Sequence, residues 1–149
     1  MAASRFQNLR IAGIATSVPG PSRPVAETAG IPADAAAKVS ASTGVSRRHT
    51  VVGNVCTSDL CLHAAENLLL ETGWDRTSID ALIFVSQTPD YFLPATACSL
   101  HGKLNLPVTC AAFDVNLGCS GFVYGLWLAS MMITSGMKRV ILLAGDTIS

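Results

Sequence analysis

Continuous apolar runs and one amphipathic stretch, separated by Gly and Pro, set the pattern of this chain. Asn8 to Ser17 carries Leu9, Ile11 and Ile14 with small residues between; Val18 follows, and Pro19-Gly20-Pro21 closes the run, which predicts a first strand. Residues 22–42 are rich in Ala, Ser and Pro with weak periodicity, which predicts a short helical piece and a loop, and Thr43-Gly44-Val45 marks a turn. Thr57 to Thr72 places Leu60, Cys61, Ala64, Ala65, Leu68 and Leu69 on one face. That spacing predicts a helix capped by Thr57 or Ser58, with Asp59 at its positive end and Gly73 as its stop.

The second part alternates strand and helix signals. Ala81 to Ser86 is a continuous apolar run, as in a parallel strand covered on both faces. Pro94 suits the first turn of a helix running to about Leu104, and Pro107 separates it from a strand at 111–115. A helix from Cys119 to Ser135 ends at Gly136, and Arg139 to Gly145 is another apolar strand. Strands alternating with helices predict an α/β fold with a parallel sheet and right-handed crossovers. No internal repeat interrupts this order.

The junction at Gly118-Cys119-Ser120-Gly121 carries the chemistry. Cys119 falls where a strand turns into the first turn of a helix, beside unpaired backbone N–H groups and the positive end of the helix dipole. Such a position favours an anion, and the thiolate is the nucleophilic form of cysteine. The small neighbours let a carbonyl approach the backbone closely. This is the local layout of an acyl-transfer nucleophile.

Half of the 149 residues are hydrophobic and only 13% are charged, against about 25% in ordinary soluble domains. The chain is therefore expected to bury surface against a partner or to belong to something larger. Ten basic and ten acidic residues cancel, which leaves no footprint for nucleic acid or an anionic membrane. Arg47-Arg48-His49 is the main basic cluster, read either as a solvated loop or as a contact for an anionic ligand or carrier. No run reaches the roughly 18 apolar residues of a membrane span, and 121–135 reads as a helix buried in a protein core. The N-terminus lacks a signal pattern, so the cytoplasm is expected. Five cysteines without a C-x-x-C pair or an H-x-x-x-H companion predict neither disulfides nor metal. Cys56, Cys61, Cys98 and Cys110 read as small core residues, and Trp74 and Trp127 as core aromatics. The last residues, Asp146 to Ser149, follow an apolar strand with nothing to cover it, so either a fragment of a longer protein or a strand completed by another chain is expected.

Phe113-Asp114-Val115 through Gly118-Cys119-Ser120-Gly121-Phe122 resembles the nucleophile motif of β-ketoacyl-acyl-carrier-protein synthase III, a thiolase-fold condensing enzyme. Three further segments resemble that family in order and spacing: Thr43 to His49, Leu93-Pro94-Ala95-Thr96-Ala97, and Ser135-Gly136 through Ala144-Gly145-Asp146. The resemblance implies that residues 1–149 form the N-terminal half of a thiolase-like fold, a mostly parallel sheet covered by helices, with the C-terminal half absent. It implies a ping-pong reaction. The Cys119 thiolate attacks an acyl thioester, and the carbanion from a decarboxylating malonyl-carrier thioester then takes the acyl group to give a 3-oxoacyl product. Acyl-CoA, acyl carrier protein and a second copy of the chain are the implied partners, with no cofactor beyond the thioester substrate. The resemblance also places Leu93 at the cap of the acyl pocket of the other subunit, beside the reading of a helix-entry residue that packs locally; Phe92, Arg47 and Arg48 join it as candidate substrate-binding residues.

Two features depart from the family. Its members place a Trp and an Arg ahead of the T-G segment to hold the CoA adenine, where this chain has Lys38 and Ser42, so a carrier-protein donor stands beside CoA. The family's supporting His and Asn come from the second half, and His49, His63 and His101 match neither. The alternative readings are a non-catalytic assembly subunit, an acyl-transfer-only relative of the same fold, and a redox or metal protein using several cysteines. Acyl loading of Cys119 separates the condensing enzyme from the assembly subunit, and thiol pairing or bound metal would mark the redox or metal protein.

Overall fold

The computed structural model describes residues 3–20, 22–28 and 30–148. They form two compact units, one of residues up to Ser17 together with Cys56–Ile148, the other of Val18–Val55.

In the smaller unit, β1 (Arg23–Pro24) pairs antiparallel with β2 (Arg47–Arg48), and α1 (Ala33–Thr43) packs on the turn after β1. The weakly periodic segment thus holds more helix than a short piece. Its stop is the expected turn: Gly44 takes φ 73°, a left-handed conformation open to glycine, and its N–H returns to the Ser40 carbonyl at 2.9 Å.

The larger unit is built on a parallel sheet in the order β4–β3–β5, formed by β3 (Ala81–Val85), β4 (Ala111–Val115) and β5 (Val140–Ala144). Ala81 pairs with Ala111 and Val140, and Val85 with Val115 and Ala144, so all three strands end level. β3 is buried along its whole length because helices cover both of its faces. Leu82 and Phe84 pack with Cys61, Ala65 and Leu69 of α2 (Thr57–Thr72) and with Ala97 and Leu100 of α3 (Thr96–Lys103). Burying each leucine or phenylalanine side chain here contributes about 1.5–3 kcal/mol. The opposite face meets α4 (Gly121–Thr134) through two glycines. A β-carbon on Gly121 would lie 2.5 Å from Val85 Cγ1, and one on Gly125 would lie 2.6 Å from Leu142 Cδ1. Only glycine lets α4 come this close.

Several expectations are corrected. The segment 8–17 forms no ladder with β3, β4 or β5, and Ile11 and Ile14 are exposed. A strand needs an edge in register. This segment instead lies against α2, where Gly13 faces Leu68 and Thr72; ahead of it, Ser4 Oγ accepts from Trp127 Nε1 of α4 at 3.2 Å. Trp127 is accordingly a partly exposed anchor rather than a core residue, whereas Trp74 packs on the core beneath the Arg139 guanidinium, 5.1 Å from the ring centre. α4 is apolar all round, yet among its residues only Gly121 and Gly125 are buried; Phe122, Val123, Tyr124, Trp127 and Met131 are exposed. Apolar composition alone predicts a helix buried all round; here the two glycines are fully buried, while Leu126, Leu128, Ala129, Met132 and Ile133 are half-buried. Cys56 and Cys98 are exposed, the first ahead of α2 and the second beside, not on, the buried stripe Thr96, Ala97 and Leu100. Cys61 and Cys110 are buried as expected.

Candidate active site

Level strand ends bring three loops to one edge of the sheet. Ser86-Gln87-Thr88 follows β3, Asn116 to Ser120 follows β4, and Gly145-Asp146-Thr147 follows β5. The ladder extends into them, with Ser86 N–H donating to the Val115 carbonyl and Gly145 N–H to the Val85 carbonyl, each at 3.2 Å. The N-terminus of α2 meets the same edge.

Cys119 is exposed in the β4–α4 loop, two residues before the first residue of α4. Gly121 N–H donates to the Gly118 carbonyl at 2.7 Å, a tight turn with Cys119 inside it, and Tyr124 N–H donates to the Ser120 carbonyl at 3.1 Å to start the helix. The sulfur is therefore open to solvent at a helix entrance, where N–H groups lack intrahelical acceptors and the dipole favours negative charge. The helix begins slightly later than the sequence pattern predicts, which leaves Cys119 in the turn instead of the first helical turn.

A carboxylate and a row of hydroxyls tie the edge together. Asp146 Oδ1 accepts from Gln87 N–H at 2.8 Å, Ser86 Oγ at 3.0 Å and Thr88 Oγ1 at 3.4 Å; Oδ2 accepts from Gln87 Nε2 at 3.2 Å. Thr57 Oγ1 lies 2.8 Å from Thr88 Oγ1 and 2.9 Å from Thr147 Oγ1. Ser58 Oγ donates to Asp90 Oδ2 at 2.6 Å. Thr57 and Ser58, expected as caps, are instead buried in the first turn and turned toward the strand ends. The cap contact comes from Asp59, whose Oδ2 accepts the Cys56 N–H at 3.0 Å. Farther in, Asp114 on β4 accepts the N–H groups of Thr96 and Ala97, each at 2.7 Å, which starts α3 at Thr96 rather than at Pro94.

The cysteines divide by environment. Burial, reinforced by the negative charges of Asp146 and Asp90, pushes the Cys61 thiol up to about 11. Burial, with Asp80 nearby, does the same to Cys110, also to about 11. Both stay protonated and inert near neutrality. Among the described residues no cluster of His, Cys, Asp and Glu could hold a metal ion.

The other sequence-predicted site residues fall as follows. Phe92 and Leu93 project from the β3–α3 loop, 95% and 86% exposed. Arg47 and Arg48 belong to the smaller unit, in β2. The Arg47 guanidinium is engaged there, its Nε donating to Ser22 Oγ at 2.9 Å and its Nη2 to the Ser22 carbonyl at 2.6 Å. Lys38 faces Asp34 across one turn of α1 at 3.8 Å, and Ser42 Oγ donates to the Val39 carbonyl at 3.1 Å. His101 Nε2 lies 3.0 Å from the Pro107 carbonyl and His49 Nδ1 lies 2.8 Å from the Pro19 carbonyl, both local structural contacts.

The reading from sequence missed Asp146, Gln87 and Thr88. The available signal was their position, two or three residues past the ends of two parallel strands, where α/β folds place their sites.

Comparison with known proteins agrees with this layout. The sequence model of the 3-oxoacyl-[acyl-carrier-protein] synthase III family matches residues 113–149, the span from β4 through Cys119 to β5. A curated relative from Campylobacter jejuni, named as a 3-oxoacyl-[acyl-carrier-protein] synthase 3, is 46% identical over 106 residues, covering 71% of this chain and 30% of that protein. The solved 3-oxoacyl-(acyl-carrier protein) synthase of Burkholderia xenovorans superposes with a TM-score of 0.84 at 45% identity, covering 92% of this chain and 40% of that one. OleA of Xanthomonas campestris superposes with a TM-score of 0.81 at 26% identity, over 95% of this chain and 46% of its own. The chain spans less than half the length of each of these three relatives.

Proposed function

Since the chain belongs to the 3-oxoacyl-[acyl-carrier-protein] synthase III family, we propose that it is the N-terminal half of a thiolase-fold acyltransferase and that Cys119 is the nucleophile. In the first step the Cys119 thiolate attacks the carbonyl of an acyl thioester. A C–S bond forms, negative charge moves to the carbonyl oxygen, and collapse expels the thiolate of CoA or of a carrier phosphopantetheine. The Cys119 N–H is the expected oxyanion donor, and one preorganised donor of this kind is worth about 3–4 kcal/mol of barrier. In the second step a malonyl thioester on acyl carrier protein loses carbon dioxide. The carbanion attacks the acyl-cysteine, giving a 3-oxoacyl thioester and regenerating the thiolate.

The observation that carries this reading is the placement of Cys119: exposed, inside a tight turn, at the entrance of α4. Phe92 and Leu93 enter the proposal as apolar residues offered to the acyl pocket of a second copy in a homodimer, which suits their exposure. Arg47 and Arg48 enter as contacts for the anionic thioester carrier. Arg47 is bonded to Ser22 and exposed, and Arg48 is half-buried. No helix among the described residues is long and apolar enough to cross a membrane, and the cytoplasm is the proposed compartment.

The test is product formation by the full-length protein supplied with acyl-CoA or acyl carrier thioesters and malonyl-acyl carrier protein. Release of carbon dioxide coupled to a 3-oxoacyl product supports the proposal. Acyl loading without condensation would reduce the role to acyl transfer alone, and neither activity would leave an assembly subunit.

A further inference from the structure

Asp146 and Gln87 form a clamp that the proposed chemistry does not itself require. One carboxylate takes both the backbone N–H and the side-chain amide of Gln87, at 2.8 and 3.2 Å. The same amide lies over the α-carbon face of Gly118: a β-carbon there would lie 3.1 Å from Gln87 Oε1, 3.3 Å from Cδ and 3.4 Å from Nε2. Gln87 is exposed, and a long side chain at such a position normally samples several rotamers. Here the carboxylate and the backbone of Gly118 remove that freedom. Among the described residues the backbone bonds within the Cys119 loop are short-range, Leu117 N–H to the Val115 carbonyl at 3.0 Å and Gly121 N–H to the Gly118 carbonyl at 2.7 Å. Gln87 is thus a stop, supplied by another strand, against the residue that precedes the nucleophile.

We infer that Gln87, held by Asp146, is a positioning residue that fixes the height of the Gly118–Cys119 backbone at the strand ends. The inference rests on the reading of Cys119 as the acyl carrier. An oxyanion donor works only when its N–H is aimed at the place where charge develops, and a displacement of about 1 Å costs on the order of 100-fold in rate. Asp146 sees donors alone. Asp146→Asn therefore sets an amide N–H₂ against one of them and frees the Gln87 side chain, while Gln87→Ala removes the stop and leaves the carboxylate with Ser86, Thr88 and the backbone.

The experiment is a rapid-quench measurement of Cys119 acylation by acyl-CoA in the full-length protein, for wild type, Gln87→Ala, Asp146→Asn and the double variant, with the thermal midpoint of each. The expected result is that each single change slows acylation at saturating thioester roughly 10-fold, with half-saturation within about twofold and little change in midpoint. Because Asp146 acts through Gln87, the double variant is no slower than the slower single one. Wild-type rates in Gln87→Ala, a loss confined to half-saturation, a rate loss that follows a fall in midpoint, or additive losses in the double variant would each overturn the inference while Cys119 still loads. A wild-type protein that never acylates Cys119 refutes the underlying reading and takes the inference with it.

Discussion

The Asp114 carboxylate accepts the backbone N–H of Thr96 at 2.7 Å, so a strand side chain, not a neighbouring residue, opens the next helix. The second oxygen takes the N–H of Ala97 at the same distance. Bonds from N–H groups to a charged acceptor are about twice as strong as neutral ones, and they meet the positive end of α3. Asp114→Ala is expected to destabilise the protein by about 2–4 kcal/mol, read as a lowered urea midpoint with unchanged slope. Asp114→Asn, which keeps one acceptor, costs less. Equal stability of wild type and Asp114→Ala would show that the helix start is held by packing alone.

The close seat of α4 on the sheet makes a second prediction. A methyl on Gly121 improves helix propensity by about 1 kcal/mol, yet it collides with the stiff, buried Val85 at 2.5 Å. The collision wins. Gly121→Ala is expected to destabilise by about 1–3 kcal/mol, and Val85→Ala in the same molecule to recover part of that loss. A simple sum of the two single effects in the double variant would contradict the contact.

Thiol reactivity should split by burial. At about pH 8, near the ordinary cysteine pKa, iodoacetamide is expected to label Cys56, Cys98 and Cys119 in the native protein. Cys61 and Cys110, both held up to about 11, should react only after denaturation. Peptide mapping checks this, and native labelling of Cys61 at the rate of Cys98 would contradict the core packing.

Acid should loosen the start of β5. Asp80 lies below the ordinary carboxylate pKa because the N–H groups of Arg139 and Lys138 donate to its Oδ2, at 2.9 and 2.6 Å. A folded-state pKa below the unfolded one means the contribution is fully present above about pH 4 and is lost as the pH falls through the folded value. Denaturation midpoints followed downward from about pH 5 should therefore fall less steeply in Asp80→Asn than in wild type. Identical slopes would show that these N–H contacts do not select the charged form.

The sequence alone located α2 to the residue, the three parallel strands within a residue or two, and the glycine stops after α1 and α2. Each of these is a local signal, an apolar run or an amphipathic period bounded by Gly. What it could not locate depended on distant partners. Residues 8–17 carry the composition of a strand, but strand formation needs an edge in register, and this segment lies on helices instead. Pro94 looked like a helix start, whereas Asp114, 20 residues later, sets the start at Thr96. Cysteine and tryptophan composition gave average burial, which failed for Cys56, Cys98 and Trp127 because each lies off the packed face. The position of Cys119 between β4 and α4 was legible from its strand–glycine–helix context, while its role as nucleophile is the proposal. Asp146 and Gln87 were not, since their pairing exists only once β3 and β5 lie side by side.

The central claim is tested most directly by the intact mass of the full-length protein after brief exposure to acyl-CoA, followed by digestion. The account predicts a gain of one acyl group, sensitive to hydroxylamine, on the peptide holding Cys119, and no gain in Cys119→Ala. A gain of the same size that persists in Cys119→Ala, or that maps to another cysteine, would contradict it.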